Sequence, residues 1–338
     1  MSKRQAGYLD LNTKENTGSD DRKKKKIDSQ PESFVMKPAK SHKWIIAVAA
    51  IVVAVIALAV FLIVRDNNSL RVTEVVVADE QVPAEFDGFR ILQLSDFNGK
   101  SFGRDNRRLV DIIRTLDFDI AILTGDFLDA SGSTESFAPI NELLEVFGEI
   151  GKPVYYVLGE NDVDVPDNAV DGWNRCIEAD PTNFVVGCLE SAGAQCVYPI
   201  TEIVRGNSRI FLTGITYYEK IFDSYGFDSD KDFSICVTHA PIDYDVDKRL
   251  ASVNRYGFNE VDFDLSLSGH TLGGQYRLPL LKTLYLEGHG LFPQEEYAYG
   301  LHKIQGRYSF ITAGLGVKKG FRLFDKPEIA VIELRYSG

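Results

Sequence analysis

The chain has 338 residues, with 37 Lys plus Arg against 49 Asp plus Glu and only five His, a formal net charge of −12. Such an acidic chain is poorly suited to wrapping a nucleic-acid backbone, which needs a concentrated positive surface. Its 44% apolar and 25% charged residues are the make-up of a globular protein, and four Cys are too few for a disulfide-dense scaffold.

The charge is unevenly placed. Residues 1–43 hold eleven basic and six acidic side chains, net +5, which leaves −17 for the remainder. This segment has few apolar positions and reads as a basic, disordered tail. Its RKKKK run at 22–26 reads as a topology signal, with attraction to anionic headgroups as the alternative.

From Trp44 to Val64 the chain has no charge, no Gly and no Pro. About 20 apolar residues at a rise of 1.5 Å cross a hydrocarbon core of about 30 Å, so 44–64 is predicted to be a transmembrane signal-anchor helix. It is too long for a cleaved signal peptide, and RDNNSL after it offers no small-residue cleavage site. Lys24, Lys25, Lys26, Lys37, Lys40 and Lys43 precede it, against Arg65 and Arg71 after it. Flanking charge therefore places the N-terminus in the cytoplasm and residues 65–338 outside, on a single-pass protein of the plasma membrane.

Strands and helices then alternate. The patterns predict strands over 71–79 and 89–97, a helix over 104–116, a strand over 119–125, a helix over 136–150 and a strand over 153–159. Further strands are predicted over 195–205, 208–216, 233–240, 263–270, 308–314 and 328–336. Strands joined by helices early and strand-rich segments late imply an α/β domain of two helix-flanked sheets. Cys176, Cys188 and Cys196 lie close in sequence and leave open one bridge or free thiols, whereas Cys236 reads as a buried small apolar residue.

Five of these strands run into polar clusters: Asp96 and Asn98, Asp126 and Asp129, Glu160 with Asn161 and Asp162, His239, and His270. Ligand sites in open α/β sheets collect beyond the carboxyl ends of strands, and oxygen with imidazole donors suits a divalent transition metal.

The order and spacing of these stations resemble the calcineurin-like metallophosphoesterases, in particular their membrane-anchored bacterial branch. That pattern reads D-x-H, G-D-x-x-D, G-N-H-[DE], H and G-H-x-H. This chain has Asp96-Phe97-Asn98, Gly125-Asp126-Phe127-Leu128-Asp129, Gly159-Glu160-Asn161-Asp162, His239, and Gly269-His270-Thr271-Leu272. The resemblance covers about residues 71–337 and implies a two-sheet αββα sandwich holding two metals bridged by Asp126.

It also shows where the chain departs. The first metal site of the family would fall on Asp96, Asn98, Asp126 and Leu272, where His is expected at 98 and 272; Leu cannot ligate and Asn does so weakly. The second would fall on Asp126, Glu160, His239 and His270, a complete set with Glu in place of Asn. Asn161 stands at the family's catalytic His and cannot act as a general acid, a role typically worth about 10²–10⁴-fold in rate.

The reading is a membrane-anchored metallophosphoesterase-like protein, impaired or non-catalytic, with at most one divalent ion (Mn, Fe or Zn) or none. The alternative is an active hydrolase of phosphomonoesters, phosphodiesters or lipid-linked pyrophosphates with an altered single-metal centre. Expected partners are the lipid bilayer and a phosphorylated small-molecule or lipid-linked ligand, with no nucleic acid. His289 is weighed as a substitute acid against a plain exposed loop histidine.

Overall fold

The computed structural model describes residues 42–163, 183–197, 199–214, 227–228, 231–242, 263–278, 281–286 and 289–338. The tail expectation therefore lies outside the described residues, as does the bridge expectation through Cys176. Cys236 is fully buried, as its apolar surroundings in the sequence imply.

Helix α1 (Lys43–Asn68) is long and apolar enough to cross a membrane, and its first seventeen apolar positions, 44–60, are exposed. It runs four residues past the apolar stretch because two Asn side chains close its end. Asn67 Nδ2 donates to Ile63 O at 2.7 Å and Asn68 Nδ2 to Val64 O at 2.8 Å, satisfying carbonyls that a helix terminus leaves without partners.

Beyond it come β1 (Arg71–Asp79), β2 (Arg90–Leu94), α2 (Arg107–Ile113), β3 (Ile120–Leu123), α3 (Ala138–Ile150), β4 (Val154–Tyr156), α4 (Phe184–Ser191) and β5 (Gln195–Cys196). Then follow β6 (Ile200–Arg205), β7 (Ser208–Thr213), β8 (Ser234–Val237) and β9 (Leu265–Ser268). Two small hairpins, β10 (Arg277–Leu278) with β11 (Lys282–Thr283) and β12 (Tyr285–Leu286) with β13 (Gly290–Leu291), precede β14 (Gly300–Ile304), β15 (Arg307–Ile311) and β16 (Glu328–Tyr336).

Among the described residues the main strands form two six-stranded sheets, ordered β1-β16-β2-β3-β4-β5 and β14-β15-β9-β8-β7-β6. Strands β2, β3, β4 and β5 are parallel, as are β7, β8, β9 and β15. Alternation along each strand decides what faces what. Ile91, Ile120, Ile122 and Tyr155 point from the first sheet into a core shared with Ile210, Leu212, Ile235, Val237, Leu265 and Leu267 of the second. Their neighbours Leu92, Leu94, Ala121, Leu123 and Tyr156 face the helices, where Leu109, Ile140, Leu143, Phe147 and Val186 cover them. Helix α3 stops at Gly151, whose φ of +70° suits the left-handed turn that ends a helix.

Two expectations are corrected. Residues 195–205 are two strands in different sheets rather than one. The break contains Pro199, whose missing N–H is poorly tolerated within a paired strand. The helix expected over 104–116 begins as a 3₁₀ turn with Asp105 and Asn106 at positive φ. Buried Asn106 imposes this entry, since its side chain accepts from Phe102 N and donates to Pro139 O, both at 3.0 Å.

Candidate metal centre

The carboxyl ends of β2, β3, β4, β8 and β9 converge where the two sheets approach. Gln93, fully buried between them, donates from Nε2 to Thr124 Oγ1 at 3.2 Å and to Ser268 O at 3.0 Å, tying the ends together. Gly125, at φ +86°, is required here. A Cβ on it would lie 2.5 Å from Gly159 N. Gly269 has no room either, because a Cβ there would collide with Ser95 and Asp96.

Backbone conformation aims the functional side chains. Asp96, Asn98, Asp126, His270 and Leu272 all have φ between +47° and +68°. Non-glycine residues in this region are uncommon, and strained positions of this kind gather at functional sites. The turns are locked by Asp96 N to Gly125 O at 2.9 Å and Asn98 N to Asp126 O at 3.0 Å.

Around His239 the donors meet. Its Nδ1 lies 2.7 Å from Thr124 O, which makes Nδ1–H the donor and turns Nε2 inward. Nε2 is 3.3 Å from Asp126 Oδ2 and 3.2 Å from His270 Nδ1, and His270 Nδ1 is 3.4 Å from Glu160 Oε2. Glu160, His239 and His270 offer atoms within 4.8 Å of one another, as do Asp96, Asp126 and His239. Lone-pair atoms this close repel unless a proton or a cation sits between them.

The charges answer that repulsion. Burial would lower His239, but the Asp126 carboxylate, its hydrogen bond and the Asp96 carboxylate outweigh it and hold His239 up at about 10. Burial and the neighbouring His239 push His270 down to about 4. Burial opposes the ionised form of Asp126, yet His239, Lys318 and the Asn161 N–H, donated to Oδ1 at 3.1 Å, keep it down at about 2. Burial raises Asp96, whose carboxylate accepts His270 N at 3.0 and 3.1 Å.

A cation is already at hand. Lys318, on the loop between β15 and β16, places Nζ in direct contact with Glu160 Oε1 and 3.5 Å from His270 Nδ1. No motif in the sequence singles out this residue, since VKKG carries no spacing signal of its own.

The residues at the family's first metal site do not fit an ion. Leu272 is buried, at 4% exposure, and has no donor atom. Asn98 Oδ1 accepts from Asn161 Nδ2 at 3.0 Å, so the two Asn that stand at motif His positions bond to each other. Among the described residues Asn98 Nδ2 is buried without a hydrogen-bond partner, and an amide N–H cannot ligate a metal. The second set, Asp126, Glu160, His239 and His270, does fit one divalent ion. Its donor types are right, Glu160, His239 and His270 offer atoms within 4.8 Å of one another, Asp126 Oδ2 lies 3.3 Å from His239 Nε2, and the Thr124 contact presents that Nε2 inward. Lys318 and the proton on His239 must then give way.

Other acids near the stations have structural tasks. Asp129 Oδ1 accepts from Ser131 N and Oγ in a turn. Asp162, raised to about 7 by burial and the Asp126 charge, accepts Phe127 N, Leu128 N and Gly159 N within 3.0 Å and clamps the second and third stations together. His289 packs on the Tyr297 ring at 4.2 Å on the wall of a cleft of about 660 Å³ that leads from Glu160, His270 and Lys318.

The model of the family described as calcineurin-like phosphoesterase matches residues 89–274. The chain is 26% identical over 298 residues to a transmembrane protein with metallophosphoesterase domain from Danio rerio, covering 86% of this chain and 62% of that protein. It is 25% identical over 288 residues to the uncharacterized metallophosphoesterase YkuE of Bacillus subtilis, covering 80% and 87%. Over 74 residues it is 39% identical to the phosphodiesterase YaeI of Escherichia coli, 21% of this chain and 25% of that one. The chain thus spans about three fifths of the zebrafish relative's length.

Proposed function

The chain belongs to the calcineurin-like phosphoesterase family, and we propose that within it this protein is a membrane-anchored phosphate-binding module with little or no hydrolytic turnover. The observation that carries the reading is Lys318. Its ammonium is held by Glu160 among the donors that one divalent ion would need. Two unit charges about 4 Å apart interact by about 4 kcal/mol at an effective dielectric constant near 20, and a divalent ion would feel twice that repulsion.

The same ammonium and the partnerless Asn98 N–H are donors for phosphate oxygens. A divalent ion, when bound at Asp126, Glu160, His239 and His270, supplies positive charge to polarise a phosphoryl oxygen. This chain's residues do the rest: Thr124 O orients His239, and Lys318 and Asn98 hold the phosphoryl group. Asn161, whose Nδ2 donates to Asn98 Oδ1 and Leu128 O, is an amide with no acidic proton for a leaving group. Anchoring is supported by α1 and by the transmembrane relative, with the domain outside the plasma membrane by the flanking charges.

A second reading, a hydrolase with one ion at the second site, is favoured by Glu160, His239 and His270, whose donor atoms lie within 4.8 Å of one another, and by Asp126 beside His239.

Calorimetry on the full chain in detergent tests the first reading. Inorganic phosphate with EDTA present is expected to bind the parent chain and not Lys318→Met. Mn²⁺ is expected to bind Lys318→Met at least about tenfold more tightly than the parent, a difference of about 1.4 kcal/mol. Absence of phosphate binding without metal, or equal Mn²⁺ affinity in a variant that melts like the parent, contradicts the proposal.

A further inference from the structure

Helix α1 meets the domain without a linker. The apolar stretch ends at Val64, Leu62 and Ile63 are already partly shielded by the domain, and Asp66 is buried. Asn67 then bonds Arg322 twice: Nδ2 donates to Arg322 O and Oδ1 accepts Arg322 N, both at 2.8 Å. Two or three residues of helix advance only about 3–5 Å. The surface around Arg322 is therefore fixed at the depth where the apolar helix leaves its lipid.

That surface is apolar where a water-facing one would be polar. Phe321 and Phe324, on either side of buried Arg322, are 39% and 44% exposed. Leu323 pairs with Tyr276, and the Phe321 and Tyr276 rings meet edge to face at 5.6 Å. Backbone bonds from Leu284 to Tyr276 and from Phe292 to Leu284 carry the face on through the two hairpins. Leu281, Leu291 and Phe292 are 55–69% exposed there. Exposed Lys319 and Arg65 border it in a domain of net −17. Aromatic and basic side chains together are what a bilayer interface selects, and contiguous exposed apolar patches mark interaction surfaces.

We propose that this face is seated in the interface of the same bilayer that α1 crosses. Continuity with the helix end decides the occupant, because a protein partner would have to displace lipid already held there by the anchor. The cleft is lined by Tyr276, whose ring meets Phe321 on the face, and by Lys318 and His270 of the site, so it lies beside the face and at headgroup depth. Phosphorylated headgroups of the leaflet are then the ligands nearest the site. This placement does not depend on whether the site turns substrate over.

The test uses the full chain in proteoliposomes containing brominated phospholipid, which quenches nearby Trp. Phe324→Trp and Phe292→Trp are read as the difference from the parent chain, which carries Trp44 and Trp173. Val204→Trp serves as control. Val204 is exposed and lies beside the turn entering β7, at the end of the second sheet away from the site. The expected result is loss of most of the added emission at 324 and 292, and none at 204. Emission at 324 and 292 as unquenched as at 204, in chains with the parent's circular dichroism, overturns the proposal.

Discussion

At the scale of single residues, the first hairpin shows how one carboxylate can set a loop. Glu295 accepts Arg277 Nη2 at 2.6 Å and Thr283 N at 2.9 Å, while Arg277 Nη1 also donates to Gly273 O at 3.1 Å. Burial would raise Glu295, but the Thr283 hydrogen bond and the Arg277 charge prevail and lower it. A carboxyl lowered in the folded state adds stability above its unfolded value, near 4.3, and loses it as pH falls through the folded value. Glu295→Gln should therefore cost about 1.5–3 kcal/mol at pH 7 and much less at low pH. Thermal unfolding at pH 7 and at about pH 3 checks this; equal losses at both would contradict the assignment. The candidate ligands stood out in the sequence because strand, turn and acid recur in a fixed order. Lys318 was not, because its importance comes from the fold of a loop some 158 positions from Glu160.

At the scale of elements, Arg322 joins segments that no local pattern connects. Its guanidinium, 1% exposed, donates to the carbonyls of Leu272, Ala313, Gly314 and Gly316 and forms an ion pair with Asp325 at 2.5 Å. The loop carrying His270 and Leu272 is thus held against the loop leading to Lys318. Removing one partner of a buried ion pair costs about 3–5 kcal/mol, since the other charge stays behind. Arg322→Leu is expected to lose about that much and to speed amide exchange over 270–276 and 312–318, while α3 keeps the parent's protection. Uniform exchange across the domain would instead mean that Arg322 supports global stability alone. Long periodic elements such as β1, α3 and β16 fell where the sequence put them. The errors came at 195–205 and 104–106, where Pro199 and the left-handed Asn106 interrupt an apolar pattern that continues on either side. The hairpins between 277 and 291 were not foreseen, because two-residue strands leave no alternation to detect.

At the scale of the whole molecule, the two sheets bring five strand ends to one place, and side-chain identity then decides what that place can hold. A motif set with five His would use positions 98, 161, 239, 270 and 272; this chain has His at two of them. The geometry adds what the count could not. Asn98 and Asn161 bond to each other, Leu272 is packed away, and Lys318 stands at the remaining donors. On the function proposed above, this phosphoesterase scaffold binds without appreciable turnover. The most direct test pairs elemental analysis with a chromogenic phosphodiester assay, on the full chain and on Asn98→His/Glu160→Asn/Asn161→His/Leu272→His. The account predicts at most one divalent ion and near-background turnover in the parent chain. In the variant it predicts a second ion and a gain of about 10²-fold or more, the lower end of what a general acid supplies. Two tightly held ions with fast turnover in the unmodified chain would contradict it.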